Sequence, residues 1–345
     1  MGAGSRWLRR LRSWAGPWLV LAAVSGSAAG CGANPDARPG RSLLGRFDVA
    51  SAVRRFDVPA AAGFQPTLLR VSSAGVWLAD PWANRVGLFT PDGRAIFVIG
   101  GTGAGPAEFK SIRDIRPLGG GRLAVLDPAG GRISVLGSDG ALQVTVPLTE
   151  VGHAEQLVPV GDTAFVLVRV RADTPLVRID LAGRATAYPS LGWPEYARLH
   201  PLAAQLTAAT DGRGRWVLGM LTGTRFVRFR GQEVLGPPSE FIEPVQPPEV
   251  VTQGAAGRMT AQVRLVHRAA QRMALADRTI LVLFGGASEE AGRLLDLYDF
   301  DTGRYLGTRL FEEAPSDLDV LDGLLYALYA EREPPQVVAF PFGRS

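Results

Sequence analysis

A six-bladed β-propeller, all-β and built of four-stranded antiparallel blades in a closed ring, is the fold this sequence predicts. Three observations carry the prediction. VWLADPWANRVGLFTPDG (Val76–Gly93) and LAVLDPAGGRISVLGSDG (Leu123–Gly140) align at a constant offset of 47 residues, matching Asp80-Pro81 to Asp127-Pro128, Arg85 to Arg132 and Asp92-Gly93 to Asp139-Gly140. Repeats of that length mark propellers and solenoids. From Phe64 to the C-terminus run 282 residues, six such periods. Finally, 42 glycines and 25 prolines are spread through a chain that is 46% hydrophobic and only 20% charged, as many short strands joined by tight turns require. Seven blades is the competing count.

Each unit reads as four antiparallel strands. Gly75 or Gly121 opens into VWLAD or LAVLD, dense in β-favouring residues. A loop leads to RVGLF or RISVL, apolar at alternate positions as in a half-buried strand. Asp-Gly supplies a turn that tolerates positive φ, and AIFVIG or LQVTVP completes the blade. FVLVRV with PLVRIDLAG fits a third blade, and RWVLGM with RFVRFRG a fourth. ILVLFG with LLDLYDFDTGRYLG fits a fifth, and LDVLDGLLYALYA with PQVVAFPF a sixth. RFDVASAVRRFDVP (Arg46–Pro59) is placed to supply the outer strand of the last blade, hiding the edges of the ring. An irregular insertion near 237–277 interrupts the repeat. Within it the spacing of Val263, Val266, Ala270 and Met273 suits a short helix or an extended arm packed on the ring, or a lid over one face.

The N-terminus has a separate character. Arg6, Arg9, Arg10 and Arg12 precede an apolar stretch and small residues, the layout of an export signal over residues 1–30. Ala28-Ala29-Gly30-Cys31 resembles a bacterial lipobox, in which the cysteine is acylated and becomes the new N-terminus. Cys31 is the only cysteine, so no intramolecular disulfide can staple the fold. The lipobox likeness implies a domain held at a membrane by acyl chains, with a flexible tether over 31–45 and the propeller over 46–345. Gly32 after the cysteine fits an outer-membrane destination in a diderm bacterium; a soluble periplasmic or secreted protein is the alternative.

VWLADPWANRVGLFTPDGRAIFVIGGTGAGPAEF resembles the NHL repeat, which runs from an aspartate-ended strand through Asn-x-Arg to a Gly-rich link ending in Phe. With the lipobox-like start, the chain resembles the six-bladed propeller lipoproteins of bacteria. The resemblance implies that the Asp80–Arg85 loop and the Gly100–Phe109 link open on one face that commonly hosts ligands. Trp82, Asn84 and Glu108 are therefore the candidate contact residues. Asp80, Arg85, Asp127 and Arg132 recur at equivalent positions, which suits hydrogen bonding within and between blades better than a unique site.

Chemistry is thinly signalled. The glycine-rich IGGTGAGPAEF lacks the Lys-Ser/Thr of a phosphate loop and misses G-x-G-x-x-G, so it reads as a corner between blades. His153, His200 and His267 fall in different units with no metal-ligand spacing, although a channel site could gather ligands from several blades. DFDTG (Asp299–Gly303) has carboxylates in calcium-loop order, but Gly303 and Leu310 stand where oxygen ligands belong. Outside the first thirty residues, 33 basic residues balance 33 acidic ones, which removes the simplest argument for nucleic-acid binding. The sequence calls for no cofactor. Its expectation is a non-catalytic binding scaffold in the envelope, its partner a protein, peptide or glycan. The alternative is a metal-dependent hydrolase or lyase with its site in the central channel.

Overall fold

The computed structural model describes residues 40–343 apart from 60–62, 150, 170, 172, 189–190, 192, 194–195, 197–198, 200–202, 244, 246–248, 256–257 and 265–266. The signal segment 1–30, Cys31 and His200 lie outside the described residues.

Two N-terminal strands, β1 (Leu43–Phe47) and β2 (Arg54–Asp57), precede the first blade. Blade 1 is β3 (Leu68–Ser72), β4 (Gly75–Asp80), β5 (Arg85–Phe89) and β6 (Ala95–Gly100). Blade 2 is β7 (Asp114–Leu118), β8 (Arg122–Asp127), β9 (Arg132–Leu136) and β10 (Leu142–Pro147). Blade 3 follows as β11 (Ala154–Val160), β12 (Ala164–Arg169), β13 (Leu176–Asp180) and β14 (Ala185–Ala187). Blade 4 comprises β15 (Leu206–Thr210), β16 (Arg215–Met220) and β17 (Arg225–Arg230). Short β18 (Glu233–Val234) and β19 (Ser239–Glu240) share its outer edge. A separate hairpin, β20 (Glu249–Ala255) with β21 (Arg258–Arg264), stands between blades 4 and 5. Blade 5 is β22 (Arg268–Ala276), β23 (Thr279–Gly285), β24 (Leu294–Asp299) and β25 (Tyr305–Phe311). Blade 6 is β26 (Asp317–Leu321), β27 (Leu324–Tyr329) and β28 (Gln336–Pro341), completed by β2.

Six blades close the ring; of the segment Arg46–Pro59, Arg54–Asp57 supplies the closing strand of blade 6, whereas Arg46 and Phe47 belong to β1 on blade 5. Phe56 on β2 packs with Phe64, Leu69 and Phe89 of the first unit and with Leu328 and Val337 of blade 6. Among the described residues the hydrophobic core is divided into six clusters, one between each pair of neighbouring blades. That division explains the strand patterns. The second strand of a blade is covered on both faces, so β4, β8 and β12 are almost continuous apolar runs. Outer strands such as β6 and β10 are partly exposed and tolerate polar residues.

Two sequence expectations are corrected. Arg268–Ala276, within the stretch spaced like a helix, is the innermost strand of blade 5. Register shifts between Arg268 and Ala270 and between Ala270 and Arg272 break the two-residue alternation, leaving apolar residues at three- and four-residue intervals. The presumed flexible tether is ordered at its C-terminal end. β1 pairs in parallel with β25 as a fifth strand of blade 5. Arg41 Nε and Nη2 reach the buried Asp296 at 3.0 and 2.9 Å, its guanidinium also pairs with Glu243, and it lies 4.4 Å from the Phe284 ring centre. Phe47 then stacks on Phe311 at 4.7 Å.

Candidate functional site

The loop between β4 and β5 and the link from β6 to blade 2 share one face of the ring, the upper face. They are joined directly, the Gly101 amide donating to the Asn84 carbonyl at 2.9 Å. Asp80 caps the loop, accepting from the amides of Trp82 and Ala83 at 3.0 and 2.9 Å and from Gln65, which leads into its own blade, at 2.8 Å. Asp127 repeats the arrangement with Gly130, Ser111 and Lys110 at 2.9, 2.9 and 3.1 Å. Arg85 and Arg132 face these aspartates in register. Arg132 also donates to the carbonyls of Gly105 and Glu108 in the preceding link.

The three candidate contact residues differ in what they have left to offer. Asn84 is buried at φ 53, in the left-handed region. Its amide nitrogen donates to Thr102 Oγ1 at 3.0 Å, and its oxygen accepts from the Ile112 amide at 3.2 Å. That side chain is spent on joining two blades, so Asn84 belongs with the scaffold residues. Glu108 is exposed but turns back to accept from the Gly105 amide at 2.8 Å. Trp82 is 90% exposed, a large aromatic with no covering contact at the tip of the loop.

The channel itself carries a charged ladder. The innermost strands β3, β7, β11, β15, β22 and β26 are neighbours around the axis but are not hydrogen-bonded to one another, leaving backbone groups to be satisfied. Side chains from blades earlier around the ring do so. Asp317 and Asp319 of blade 6 accept from the amides of Leu69 and Val71 in blade 1, at 2.8 and 2.9 Å. Asp114 of blade 2 accepts from Leu157 of blade 3 at 3.1 Å. Gln156 of blade 3 accepts from Ala208 of blade 4 at 2.6 Å, and Arg116 of blade 2 donates to the Ala208 carbonyl at 3.0 Å. Arginines compensate the acids. Arg70 bridges Asp317 and Asp114 at 2.8 and 3.1 Å, Arg116 Nε holds Asp114 at 2.9 Å, and Arg272 Nε lies 3.3 Å from Asp317.

Burial shapes these ionisations. Desolvation works against the Arg70 charge, but Asp317, Asp114 and Asp319 outweigh it and raise its pKa. For Arg116 desolvation prevails and the pKa falls. Asp319 is raised above its ordinary 3.8 by burial, against the pull of Arg70 and the backbone donors. The ladder divides the channel in two. An upper funnel of about 480 Å³ is lined by Arg272, Arg268, Arg169 and Gln205, and a lower one of about 1120 Å³ by Arg116, Asp319, Asp211 and Arg309. Arg70 lines both and is the partition between them.

The remaining sequence candidates lie apart. His153 Nε2 is 2.5 Å from Glu155 Oε1 at the rim, and His267 is half-buried just before β22. Asp299 accepts from the Thr302 amide and hydroxyl at 2.8 and 2.7 Å, which holds its carboxyl below the usual range. Asp301 pairs with Arg230 at 3.2 Å and with Arg278, so DFDTG forms a closed hairpin turn. Among the described residues, no three His, Cys, Asp or Glu side chains gather as a metal site.

No protein-family model matches the chain, and no curated protein matches it either. Solved structures do. A streptogramin B lyase is 17% identical over 83% of this chain and 82% of its own, with a TM-score of 0.51. A virginiamycin B lyase from Staphylococcus aureus is 15% identical over 83% of both chains at 0.52. A member of the DUF4221 family from Bacteroides vulgatus is 10% identical over 88% of this chain and 98% of its own at 0.54. The chain shares the fold of these proteins.

Sequence reasoning missed the ladder. Its signal was a charge in the short first strand of blades 1, 2 and 6, in LLRVS, DIRPL and DLDVL. An ionisable residue one strand before a fully buried run is the pattern of a channel wall in a propeller.

Proposed function

We propose that this chain is an exported, NHL-like propeller, anchored in the bacterial envelope through acylated Cys31, that acts as a non-catalytic binding scaffold. Its ligand is a protein, peptide or glycan gripped by the upper face, with Trp82 as the central contact and Glu108 as a second one. The observation that carries this reading is the engagement of the three ladder carboxylates between the two funnels. Asp114, Asp317 and Asp319 each accept from backbone amides of their own or the next blade, and the first two are also held by arginines. A general acid or base needs a carboxylate free to exchange a proton with substrate, and these are committed to holding the ring. An exposed tryptophan on a rigid loop is the type of residue that dominates binding energy at interfaces.

The test is affinity capture from envelope extracts with wild type, Trp82→Ala and, as a control on an outer strand, Ile96→Ala. The expected outcome is a partner lost with Trp82→Ala and kept with Ile96→Ala. Equal recovery by all three removes the upper loop as the contact. Metal analysis of the purified mature domain addresses the lyase or hydrolase alternative, which stoichiometric zinc or calcium in the channel would favour. Intact-mass measurement of the mature protein checks acylation at Cys31.

A further inference from the structure

We propose that the upper funnel is a pocket for an organic carboxylate, with Arg272 and Arg268 as the residues that grip it. This rests on the binding-scaffold reading and names a ligand class for the same face.

The funnel's charge does not balance. Five arginines line it (Arg70, Arg113, Arg169, Arg268 and Arg272) against three acids, Asp114, Glu155 and Asp317. The two aspartates are consumed by the ladder, where Arg116 from below takes a further share of Asp114. Glu155 is divided between Arg113 at 3.8 Å and His153 at 2.5 Å. Arg169 donates only to the carbonyls of Thr174 and Val151, and no described carboxylate makes an ion pair with it or with Arg268. The surplus is therefore positive and concentrated at the mouth.

Arg272 has donors to spare. It lies 3.3 Å from Asp317 through Nε without hydrogen-bond geometry, Nη1 donates to the Gln271 carbonyl at 3.0 Å, and the side chain is one-third exposed. A guanidinium held at its base with its outer edge open is suited to bidentate carboxylate recognition. Around it stand Gln205, Gln271 and Thr207 as neutral donors and Leu206, Leu221 and Met273 as apolar wall. A volume of about 480 Å³ lies in the range of small-ligand pockets. The chemistry shared by possible sources is one carboxylate on a compact, partly apolar body. A free peptide C-terminus and a uronic acid both present it.

The test is calorimetric titration of the mature domain with matched charged and uncharged probes. N-acetyl-alanyl-alanine is set against its C-terminal amide, and the methyl glycoside of galacturonic acid, its carboxyl free, against methyl galactoside, all at constant ionic strength. The expected result is binding by at least one charged member and at least tenfold weaker binding by its uncharged partner. Arg272→Gln and, separately, Arg268→Gln should each weaken the charged probe about tenfold. Arg268 takes no part in the ladder, so its variant keeps the test decisive where Arg272→Gln fails to fold. Which pair discriminates identifies the source. Equal binding within both pairs, unchanged affinity in the Arg268 variant and a folded Arg272 variant, or no binding of either charged probe at millimolar concentration each overturns the proposal. Loss of the large partner with Trp82→Ala while probe binding persists separates this pocket from the scaffold contact.

Discussion

Arg70 of blade 1 donates to Asp317 of blade 6 at 2.8 Å, a contact that spans 247 residues of sequence and sits on the axis of the ring. It joins the first innermost strand to the last, next to the Asp317 carboxylate that also accepts from the Leu69 amide. The seam of the propeller is thus fastened twice, by this charge pair inside and by β2 outside.

Removing Arg70 leaves Asp317 buried without its nearest compensating charge and Asp114 with Arg116 alone. Arg70→Gln is expected to cost about 3–5 kcal/mol in urea unfolding, the range for breaking a buried pair from one side. Arg94→Gln, at an exposed turn, should stay within about 0.5 kcal/mol. A cost for Arg70→Gln as small as the control's contradicts the assigned role.

The Arg41 clasp on Asp296 predicts strong coupling. Arg41→Ala should destabilise by about 3 kcal/mol, and adding Asp296→Asn should restore part of that loss because the uncompensated charge is gone. Strict additivity in the double-mutant cycle argues against the clasp.

Asp319 carries the pH signature. Burial raises its pKa, so the native state holds this proton more readily than the unfolded chain does. Its contribution therefore falls as pH rises from about its ordinary 3.8 through the raised value. Asp319→Asn, which loses one acceptor at every pH, should gain on wild type over that interval when denaturant stability is measured across the pH range. A variant that loses ground as pH rises contradicts the assignment.

Gly93 and Gly140 occupy equivalent turns at φ 89 and 81 but face different surroundings. An added Cβ at Gly140 would come 3.3 Å from Ile99 and Phe97, whereas at Gly93 it would come 2.4 Å from Phe56 on the closing strand. Gly140→Ala should cost about 1–2 kcal/mol for its backbone. Gly93→Ala should cost about 1–3 kcal/mol more through overpacking. Thermal melts that rank them the other way contradict this packing of β2.

The last prediction separates scaffold from contact. Asn84→Ala should lose about 1–3 kcal/mol by leaving the Ile112 amide without its acceptor, while Trp82→Ala should leave stability within about 0.5 kcal/mol.

The ring was legible because its second strands are buried on both faces, so VWLAD, LAVLD and FVLVRV stand out as apolar runs whatever the intervening loops do. The closing strand was legible by its place, in a segment ahead of the first unit with no partner of its own. Blade 5 was obscured at its inner strand by two bulges, which erase the alternation that identifies a strand. The funnels were hidden for a different reason. Arg70, Asp114, Arg272 and Asp317 come from four blades, and nothing local in the chain says that they meet. Asn84 reads as a surface residue of a loop, and only its burial and its hydrogen bonds to the link at Thr102 and to Ile112 before blade 2 show it to be a bracket.

Because β1 lies upstream of β2, the ring cannot be unzipped from its N-terminal end in any order. Tension applied ahead of residue 40 meets the Arg41 clasp first, then the whole length of β1 in shear along β25, and only after both yield does it reach the strand that seals blade 6. Strain entering from that side is therefore spent at blade 5, where a slip leaves the circle intact.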